Sequence, residues 1–289
     1  MDFTVVTVVH RTDLPLIKLQ ARSLSRYLDR SFVREIIVID NTVGEKSIQP
    51  GELLPQYGSL PVRLIARYPV EAKGWYTQQV QKLMIARQIT TPYYLLLDAK
   101  NHLVRRITRA TFVAPDGRLR LGAYGYRHHP LHNHLLHSCR FFGIDPKHLL
   151  DSFVQTVTPF PLTTLIVTHL LDYVERNGQP FEATFLQAGV TEFFLFAAYL
   201  LANGQRLEDH YAFDTWYSAN LWKWHCNERM RQEISRAYRF DFFSVHRGAF
   251  RHMEFKTQAL LAFFWYKRRL FASYTDAIRF VRGCGKTYA

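Results

Sequence analysis

Four apolar runs of strand character occur in the first third of the chain, separated by more polar stretches. Phe3 to Val9 and Glu35 to Asp40 are rich in β-branched residues, which is typical of strands buried on both faces. Val62 to Ala66 is a shorter candidate, and Tyr93 to Leu97 is the fourth. Four strands with intervening crossovers predict an α/β sheet of the nucleotide-binding type.

Apolar residues at helical spacing follow the first strand, and Asp13 precedes them as a candidate N-cap. They are Leu14, Ile17, Ala21, Leu24 and Leu28. A strand, a helix and a second strand in succession predict a right-handed βαβ unit with parallel strands. A second helix is predicted from Tyr76, Val80, Leu83 and Met84. Residues 43–60 contain several glycines and prolines and are expected to form a loop.

The second half of the chain has more predicted helices than the first. Turn residues lie at Pro115 to Gly117, and Asp145 followed by Pro146 is typical of a helix start. Further elements are predicted as helices over about 162–176 and 191–202, a late strand over Tyr238 to Val245, and a closing basic aromatic helix over about 256–272.

The composition is that of a globular protein with a strong positive charge. With 48% hydrophobic residues among 289, the chain can bury a full core. The formal net charge of +13 implies an anionic partner, and charge alone leaves a phosphosugar, an anionic lipid surface and nucleic acid open. The chain has no helix-turn-helix, zinc-finger or RNA-recognition signature, so we expect no nucleic-acid partner.

Cysteine usage and hydropathy favour a cytoplasmic location. Cys139, Cys226 and Cys284 are odd in number and widely spaced, which fits a reducing compartment. The longest apolar run, Ala259 to Tyr266, is far shorter than the roughly 18 residues of a membrane span. Met1 to Phe3 lacks the basic start of a signal peptide. We therefore expect a cytoplasmic protein that could rest on a membrane surface.

The fourth strand ends abruptly in Asp98, Ala99, Lys100 and Asn101. Residues just past the carboxyl ends of strands in an open α/β sheet lie where ligands bind, so this polar group is placed to bind a phosphorylated ligand. The alternative is that Asp98 merely caps the next turn and that Lys100 is solvated.

The second predicted helix begins beside the same edge of the sheet and carries Lys73, Trp75, Gln78 and Lys82 near its start. A helix N-terminus with basic side chains suits phosphate, and Gln78 and Lys82 share one face of the helix. An amphipathic helix with a solvated polar face would look the same. The position of Trp75 beside Gly74 favours ligand binding.

Five histidines lie between His128 and His137. Imidazoles at such spacing could bind zinc, but no carboxylate or cysteine pair lies nearby and Pro130 interrupts any single helix that would align them. We therefore favour a substrate-binding loop, partly protonated near an anionic substrate, over a metal site. Near the end of the chain, the aromatic residues from Phe263 to Tyr266 precede Lys267 to Arg269, which suits anionic headgroups, although aromatics at helical spacing are also typical of a core.

Three blocks of the sequence resemble glycosyltransferases of the GT-A fold, and in particular a bacterial family of uncharacterised GT-A-like proteins. The blocks are Gly74 to Leu83, Tyr94 to Asn101 and Thr191 to Leu195. The resemblance spans most of residues 3–250. It implies a GT-A-like, Rossmann-like α/β fold with a central, mostly parallel sheet flanked by helices. It also implies transfer of a sugar from a nucleotide-sugar donor to a hydroxyl acceptor.

On this resemblance, residues 1–250 form the glycosyltransferase domain. Residues 1–108 are its nucleotide-sugar-binding half and residues 109–250 its acceptor-binding half. Residues 251–289 are expected to be a basic, aromatic helical extension of the same domain.

GT-A enzymes typically end their fourth strand in Asp-x-Asp, whose carboxylates hold a divalent metal against the donor diphosphate. Here Asp98 matches the first position, but Lys100 stands at the third. A lysine cannot bind the metal, yet its ammonium can neutralise the diphosphate directly. This departure from the family pattern predicts an enzyme that is metal-independent or only weakly metal-dependent: no cofactor is required, and Mn²⁺ or Mg²⁺ could bind but is not expected. Asp98 would contact the ribose or sugar hydroxyls, and Asn101 would help to hold the donor.

The same resemblance assigns donor roles to residues near the other strand ends. Thr7, His10 and Arg11 would lie where the base and phosphates pass, and Asp40 where a carboxylate reads the base or ribose. Arg11 could equally be surface charge, His10 a satisfied buried imidazole, and Asp40 part of an ordinary Asp-Asn turn.

Two further assignments concern the second half of the chain. Glu192 is placed to be the base of an inverting transfer, although a first-turn glutamate could simply complement the helix dipole. His246 and Arg247 follow the late strand and are expected to bind phosphate rather than metal, although a histidine at a strand end is often structural.

The sequence thus predicts an inverting glycosyltransferase of bacterial surface polysaccharide, capsule or lipopolysaccharide biosynthesis, located in the cytoplasm or peripherally on the inner membrane. Its acceptor would be a glycan or a lipid-linked glycan. The alternatives are a basic nucleic-acid-binding module and a metal-dependent hydrolase or phosphotransferase built on the histidines.

Overall fold

The computed structural model describes residues 1–42, 47–70 and 74–288. The strands are β1 Phe3–Val9, β2 Val33–Asp40, β3 Val62–Ala66, β4 Tyr93–Asp98, β5 Asn101–Leu103, β6 Leu119–Arg120, β7 Ala123–Tyr124, β8 Phe153–Val154, β9 Phe160–Thr163, β10 Tyr211–Ala212, β11 Ser218–Leu221 and β12 Phe242–Val245.

The α-helices alternate with these strands and then close the chain. They are α1 Leu14–Tyr27, α2 Pro50–Leu53, α3 Trp75–Met84, α4 Arg109–Phe112, α5 His132–Phe142, α6 Thr164–Glu175, α7 Phe181–Ala188, α8 Glu192–Ala202, α9 Leu207–His210, α10 Asn227–Arg236, α11 Phe255–Lys267 and α12 Tyr274–Tyr288. Short 3₁₀ turns occupy Arg11–Asp13, Leu54–Tyr57, Ile85–Gln88, Ala237–Arg239 and Arg247–His252.

The central sheet has five strands in the order β3-β2-β1-β4-β9. The first four are parallel and β9 is antiparallel to β4. All residues of β1 are buried, as expected for a β-branched strand with neighbours on both sides and helices over the sheet. The prediction of a central, mostly parallel sheet flanked by helices is confirmed.

Parallel pairing brings the carboxyl ends of β1, β2 and β4 to one edge. Val8 pairs with Asp98, and Val9 pairs with Asp40. The turn after Asp98 is only two residues long and leads into β5, which belongs to a second sheet of order β11-β12-β5. Asp98 and Lys100 therefore lie where the two sheets meet.

Several predicted elements differ from the structure. Asp145 and Pro146 begin an isolated turn rather than a helix. The Leu150 carbonyl accepts a hydrogen bond from Tyr126 N at 2.7 Å, so the backbone here pairs with another segment and does not continue as a helix. The segment 43–60, expected to be a loop, contains α2 and a 3₁₀ turn within its described part. The late strand begins at Phe242 because Ala237–Arg239 form a 3₁₀ turn at the end of α10.

The single closing helix predicted over 256–272 is wrong, since two helices are present. The helix α11 ends at Lys267, and Arg269 then adopts a positive φ of 50°. A backbone in that region cannot continue a right-handed helix. Leu270 N instead donates to Trp265 O at 3.0 Å, which closes the end of α11 before α12 begins.

Within the described ranges, no single helix is long and apolar enough to span a membrane. Helices α7 and α8 meet that length and hydropathy only when taken together, and they are bent by 96° relative to each other.

Candidate functional site

Lys82 bridges two carboxylates at the carboxyl end of the sheet. Its Nζ lies 2.8 Å from Asp98 Oδ1 and 3.1 Å from Glu192 Oε1. The Lys82 and Glu192 side chains are only 7% and 6% exposed, whereas Asp98 is 24% exposed. Helix α3, strand β4 and helix α8 each supply one member of this group. Asp98 is the most exposed of these three side chains.

Lys100 contacts the second carboxylate oxygen of Asp98. Its Nζ also lies 5.5 Å from the ring centre of Trp222, a cation–π distance. Two ammonium groups and two carboxylates are thus gathered in one place, and their formal charges cancel. We call Lys82, Asp98, Lys100 and Glu192 the lysine–carboxylate cluster.

Burial and charge act in opposite directions on the pKa values of the cluster. Burial raises the pKa of Asp98, but the charges of Lys100 and Lys82 outweigh it and hold this pKa well below its ordinary value. Burial lowers the pKa of Lys82, but Asp98 and Glu192 outweigh it and raise this pKa. For Glu192, burial dominates over the charge of Lys82, so its pKa is raised. Glu192 is therefore a stronger base than an exposed glutamate.

The Asp98 turn is fixed from behind by an internal hydrogen-bond network. Asn101 Oδ1 accepts from Asp98 N at 2.6 Å, and its Nδ2 donates to Ser244 Oγ at 2.7 Å. Gln20 Nε2 donates to the carbonyl of Asp98 at 2.7 Å, while Gln20 Oε1 accepts from Thr7 Oγ1 at 2.8 Å. Gln20 is not among the predicted site residues. It lies on the buried face of α1, where the sequence pattern indicates only core packing.

Thr7 and Asn101 are fully buried behind this turn. Both were expected to hold the donor. Their side chains instead bond to Gln20, to Ser244 and to the backbone. This placement makes them supports of the Asp98 turn rather than ligand contacts.

Asp40 also has an internal role. Its Oδ1 accepts from Thr42 N at 2.9 Å and its Oδ2 from Ile48 N at 2.6 Å. This is the turn arrangement that the Asp-Asn sequence left open as the alternative to base recognition. Both carboxylate oxygens of Asp40 are thus engaged by backbone N–H groups, those of Thr42 and Ile48.

His10 and Arg11 lie at the end of β1, as predicted. His10 Nδ1 accepts from Thr12 N at 3.2 Å and caps the following 3₁₀ turn. Arg11 forms two hydrogen bonds to the Glu52 carboxylate, one of them 2.8 Å long, and a third to Ser47 O at 3.2 Å. The guanidinium thus fastens the loop after β2 to the end of β1.

Helix α3 brings its predicted residues to different places. Trp75 is 46% exposed at the first turn, and its ring meets that of His134 edge-on at 5.5 Å. Gln78 is half-buried, whereas Lys82 is in the lysine–carboxylate cluster. Lys73, also predicted to bind the donor, lies outside the described residues.

His246 follows β12, and the backbone of the preceding residue bonds to Lys100 O. Burial, followed by the charges of Lys100, Arg247 and Lys223, lowers the pKa of His246 to about 4. The ring is therefore neutral near pH 7. Its Nδ1 accepts from Gly248 N at 3.0 Å, so the proton must sit on Nε2, which is a hydrogen-bond donor.

Arg247 is half-exposed next to His246. Its Nη1 donates to Thr12 Oγ1 at 2.8 Å and lies 3.4 Å from the Asp13 carboxylate. It thereby joins the end of β12 to the segment that follows β1. Lys100, His246 and Arg247 lie close together beside the lysine–carboxylate cluster, and we call them the basic rim, in which Lys100 and Arg247 carry the positive charge.

The histidine-rich segment is arranged differently from the expectation. Pro130 does not prevent a common helix, because α5 begins two residues later and includes His132, His134 and His137. The Nδ1 atoms of His134 and His137 lie 2.9 and 3.2 Å from the Gly189 carbonyl, and both must donate to it. Within residues 1–42, 47–70 and 74–288, no three His, Cys, Asp or Glu side chains are arranged to hold a metal ion. These two histidines fasten the turn that precedes α8.

Gln79 is a further site residue, next to the predicted Gln78. Its Oε1 accepts from Glu192 N at 3.2 Å, so it fixes the start of α8. Gln79 Nε2 and Thr191 Oγ1 are buried, with no hydrogen-bond partner in the part of the chain that the structure describes. Polar groups of this kind beside Glu192 suit a ligand with hydroxyl groups.

The donor set does not fit a divalent cation. Each Asp98 oxygen already faces an ammonium group, and Lys100 occupies the position at which a second carboxylate would be needed. A metal here would lie close to two positive charges.

The architecture is a GT-A-like α/β fold, and the comparison with LgtC supports this assignment. The galactosyltransferase LgtC, in complex with donor and acceptor sugar analogs, superposes with a TM-score of 0.52 over 93% of this chain and 96% of that chain at 11% identity. The bifunctional glycosyltransferase WbbM gives a TM-score of 0.45 over 84% of this chain at 11% identity, and the match spans 45% of the length of WbbM.

The chain belongs to the family described as "Family of unknown function (DUF6492)", whose model matches residues 3–247. A search of curated proteins found no match.

Proposed function

We propose that this protein is a glycosyltransferase that moves a sugar from a nucleotide-sugar donor to a hydroxyl of a glycan or glycolipid acceptor. The observation that carries the proposal is the lysine–carboxylate cluster at the carboxyl end of the sheet, where open α/β folds bind nucleotides. The fold likeness to LgtC, which binds donor and acceptor sugar analogs, supports the same class of ligand.

The basic rim provides cationic and hydrogen-bond-donor groups that suit a diphosphate leaving group. Lys100 contributes an ammonium, Arg247 a guanidinium and His246 a neutral Nε2–H donor. Such groups stabilise negative charge as it develops on the leaving oxygen. Asp98 orients Lys100 and still has free lone pairs that can accept from sugar hydroxyls.

This arrangement supports a transfer that needs no divalent metal. In a metal-dependent site the cation would neutralise the diphosphate, whereas in this proposal Lys100 and Arg247 of the basic rim take that role. The donor then contacts protein cations directly.

The proposed reaction is inverting, with Glu192 as base. The raised pKa of this carboxyl favours proton uptake from an acceptor hydroxyl. Lys82 holds the carboxylate in place, and Gln79 fixes the backbone at the start of α8. The proton moves from the acceptor hydroxyl to Glu192 as that oxygen attacks the anomeric carbon, and the nucleoside diphosphate leaves from the opposite face.

The proposed location is the cytoplasm, at the inner membrane, in bacterial surface polysaccharide, capsule or lipopolysaccharide biosynthesis. Helix α11 exposes Phe255, Phe263 and Tyr266, and the cations of Arg282 and Lys267 lie 5.5 and 5.3 Å from the rings of Phe255 and Phe263, respectively. Exposed aromatics beside cations suit anionic headgroups. Trp265 of the same helix is fully buried, so only one face is available. Flotation with phosphatidylglycerol vesicles tests this surface.

We propose a single domain in which residues 1–108 form the donor half, residues 109–250 the acceptor half and residues 251–289 an extension. Trp265 Nε1 in the extension donates to His102 Nε2 at 2.8 Å, just after the Asp98 turn. This contact supports a single folding unit.

Thermal-shift measurements with UDP, GDP, CMP and dTDP, each with and without manganese, test the function. One nucleotide should raise the melting temperature, since a ligand that binds only the native state stabilises it, and manganese should not enlarge the shift. The matching nucleoside without phosphate is the control and should give a much smaller shift. No response to any of the four nucleotides contradicts the proposal.

A further inference from the structure

A cavity of about 400 Å³ lies next to the basic rim. The residues that matter for its chemistry are Trp216, Asn220, Trp222, Arg229, Glu233 and Arg236. Trp222 also forms the cation–π contact with Lys100, so it belongs both to this cavity and to the surroundings of the lysine–carboxylate cluster. The cavity is thus adjacent to the proposed donor site.

Tryptophan rings form the walls of this cavity. Trp216 is 52% exposed and stacks on Tyr124 with ring centres 5.7 Å apart and a 12° interplanar angle. Trp222 stacks on Trp224 with centres 5.1 Å apart and a 5° angle, and Trp224 is 66% exposed. Large aromatic rings exposed together mark a binding surface, and rigid ring faces suit the flat apolar face of a sugar.

The polar lining carries an excess of positive charge. Glu233 is buried and receives Arg229 and Arg236, each at 2.7 Å. Two guanidinium groups share this one carboxylate, so one positive charge is left uncompensated. Burial lowers the pKa of the neighbouring His225, which is therefore neutral near pH 7. The half-exposed guanidinium groups of Arg229 and Arg236 can thus bind a further carboxylate or phosphate.

Asn220 adds a hydrogen-bonding group to the same cavity. Its Nδ2 donates to Ser218 O at 3.1 Å, whereas its Oδ1 is buried with no partner among the described residues. A buried acceptor of this kind suits a hydroxyl group of a ligand.

We propose that this cavity is the acceptor subsite and that it takes a sugar ring bearing an acidic group, either a carboxylate or a phosphate. The inference rests on the proposed glycosyltransferase function and specifies its acceptor. The tryptophan faces hold the ring, Asn220 reads a hydroxyl, and Arg229 with Arg236 binds the acid.

Titration calorimetry on the full-length protein tests the proposal with three probes. Trigalacturonate carries carboxylates, glucose 6-phosphate carries a phosphate, and cellotriose is neutral. At least one acidic probe should bind about tenfold or more tightly than cellotriose, a ratio equal to about 1.4 kcal/mol. The acidic probe that binds more tightly identifies the acid. Equal affinity for all three probes, or no binding, would overturn the proposal.

Variants separate this cavity from a general charge effect. Arg236→Gln should weaken the acidic probe about tenfold and leave cellotriose unchanged, while Trp216→Ala should weaken both probes. Arg279→Gln and Phe255→Ala, exposed substitutions elsewhere, are the matched controls and should change neither affinity. The thermal shift by the donor nucleotide should survive in all four variants, so failure of the acceptor inference is distinguishable from failure of the proposed function. Unchanged acid binding in Arg236→Gln would overturn the assignment.

Discussion

Lys82 and Glu192 are 110 positions apart in the sequence, yet Lys82 Nζ lies 3.1 Å from Glu192 Oε1. Both residues were predicted to act in the site, one as a donor ligand and the other as a base. Their contact means that neither acts alone, because a buried charge is tolerated only with its partner in place. Asp98 completes the arrangement from the other side of Lys82. The effect of a substitution in the lysine–carboxylate cluster therefore depends on which charges it leaves unpaired.

Replacement of Lys100 tests the proposal that the donor site works without a metal. Lys100→Ala should reduce turnover by about a hundredfold or more, since removal of one group that stabilises a developing anion typically costs that much. Steady-state transfer to the acceptor, followed by release of the nucleoside diphosphate, measures the loss. Added manganese should not restore activity. Full rescue by manganese would show that a metal can occupy the site.

Glu192→Gln tests the proposed base. Turnover should fall by about a hundredfold or more, because general-base catalysis contributes on that scale, while the thermal shift by the donor nucleotide persists. The amide keeps the size of the side chain. Loss of nucleotide binding in this variant would contradict the assignment and show instead that Glu192 only supports Lys82.

The pH dependence of turnover gives a second test of Glu192. Because its pKa is raised in the folded protein, the basic form is lost at a higher pH than for an exposed glutamate. Activity should therefore decrease on the acid side before ordinary carboxylates titrate, and Glu192→Gln should remove this inflection from its residual rate. If the inflection persists unchanged in the pH profile of Glu192→Gln, another group is responsible for it.

His102 predicts how stability depends on pH. Burial lowers the pKa of this ring to about 3, although a hydrogen bond to the Lys100 backbone partly opposes the shift. As the pH falls from about 6.5 towards 3, the unfolded chain binds a proton here and the native state does not, so the free energy of unfolding decreases. Urea unfolding at pH 7 and pH 4.5 measures this loss.

His102→Gln is the variant for that measurement. Its amide oxygen can still accept from Trp265 Nε1, but the group does not titrate. The loss of stability between pH 7 and pH 4.5 should be smaller than in the unaltered protein, with His246 contributing a remaining part. An equal loss in both proteins would rule out His102 as a source of acid sensitivity.

Two glycines form a matched pair for testing the histidine contact. Gly189 and Gly143 both end helices with positive φ, 63° and 70° respectively. A Cβ at Gly189 would lie 3.0 Å from His137 Nδ1, whereas a Cβ at Gly143 would meet nothing within 4 Å. Gly143→Ala should cost about 1 kcal/mol from backbone strain alone, and Gly189→Ala should cost more.

Gly189→Ala should also lower turnover, because the turn precedes Glu192, whereas Gly143→Ala should leave turnover unchanged. Chemical unfolding and steady-state rates measure the two effects. Equal stability losses in both variants would show that the His137 contact is not needed.

The central sheet could be predicted because its strands are long, β-branched and buried, so local pattern and final position agree. Phe3 to Val9 illustrates this agreement. The edge position of Asp98 followed from the end of such a strand. The two-residue strands β6 and β10 are too short for any periodicity to indicate them, and they form through pairing with distant segments.

The site was less predictable because its important contacts are long-range. Gln20 lies in a helix whose pattern indicates only a buried face, yet it holds the Asp98 turn through bonds across 78 positions. Asp40 and Asn101 have the residue types of ligand-binding positions, but their bonds to the backbone were decided by loop geometry. Residue type and strand position therefore located the site, while tertiary contacts decided which side chains face it.

The balance of charge around Lys82 restricts how this site could change during evolution. Substitution of Lys100 by aspartate would give the Asp-x-Asp sequence, but the lysine–carboxylate cluster would then contain three carboxylates and only one ammonium, that of Lys82. Such an intermediate would need a cation from its first generation or a second compensating substitution. The proposed metal-free form of the site and a metal-using form are therefore separated by a coupled change, and drift at one position alone does not connect them.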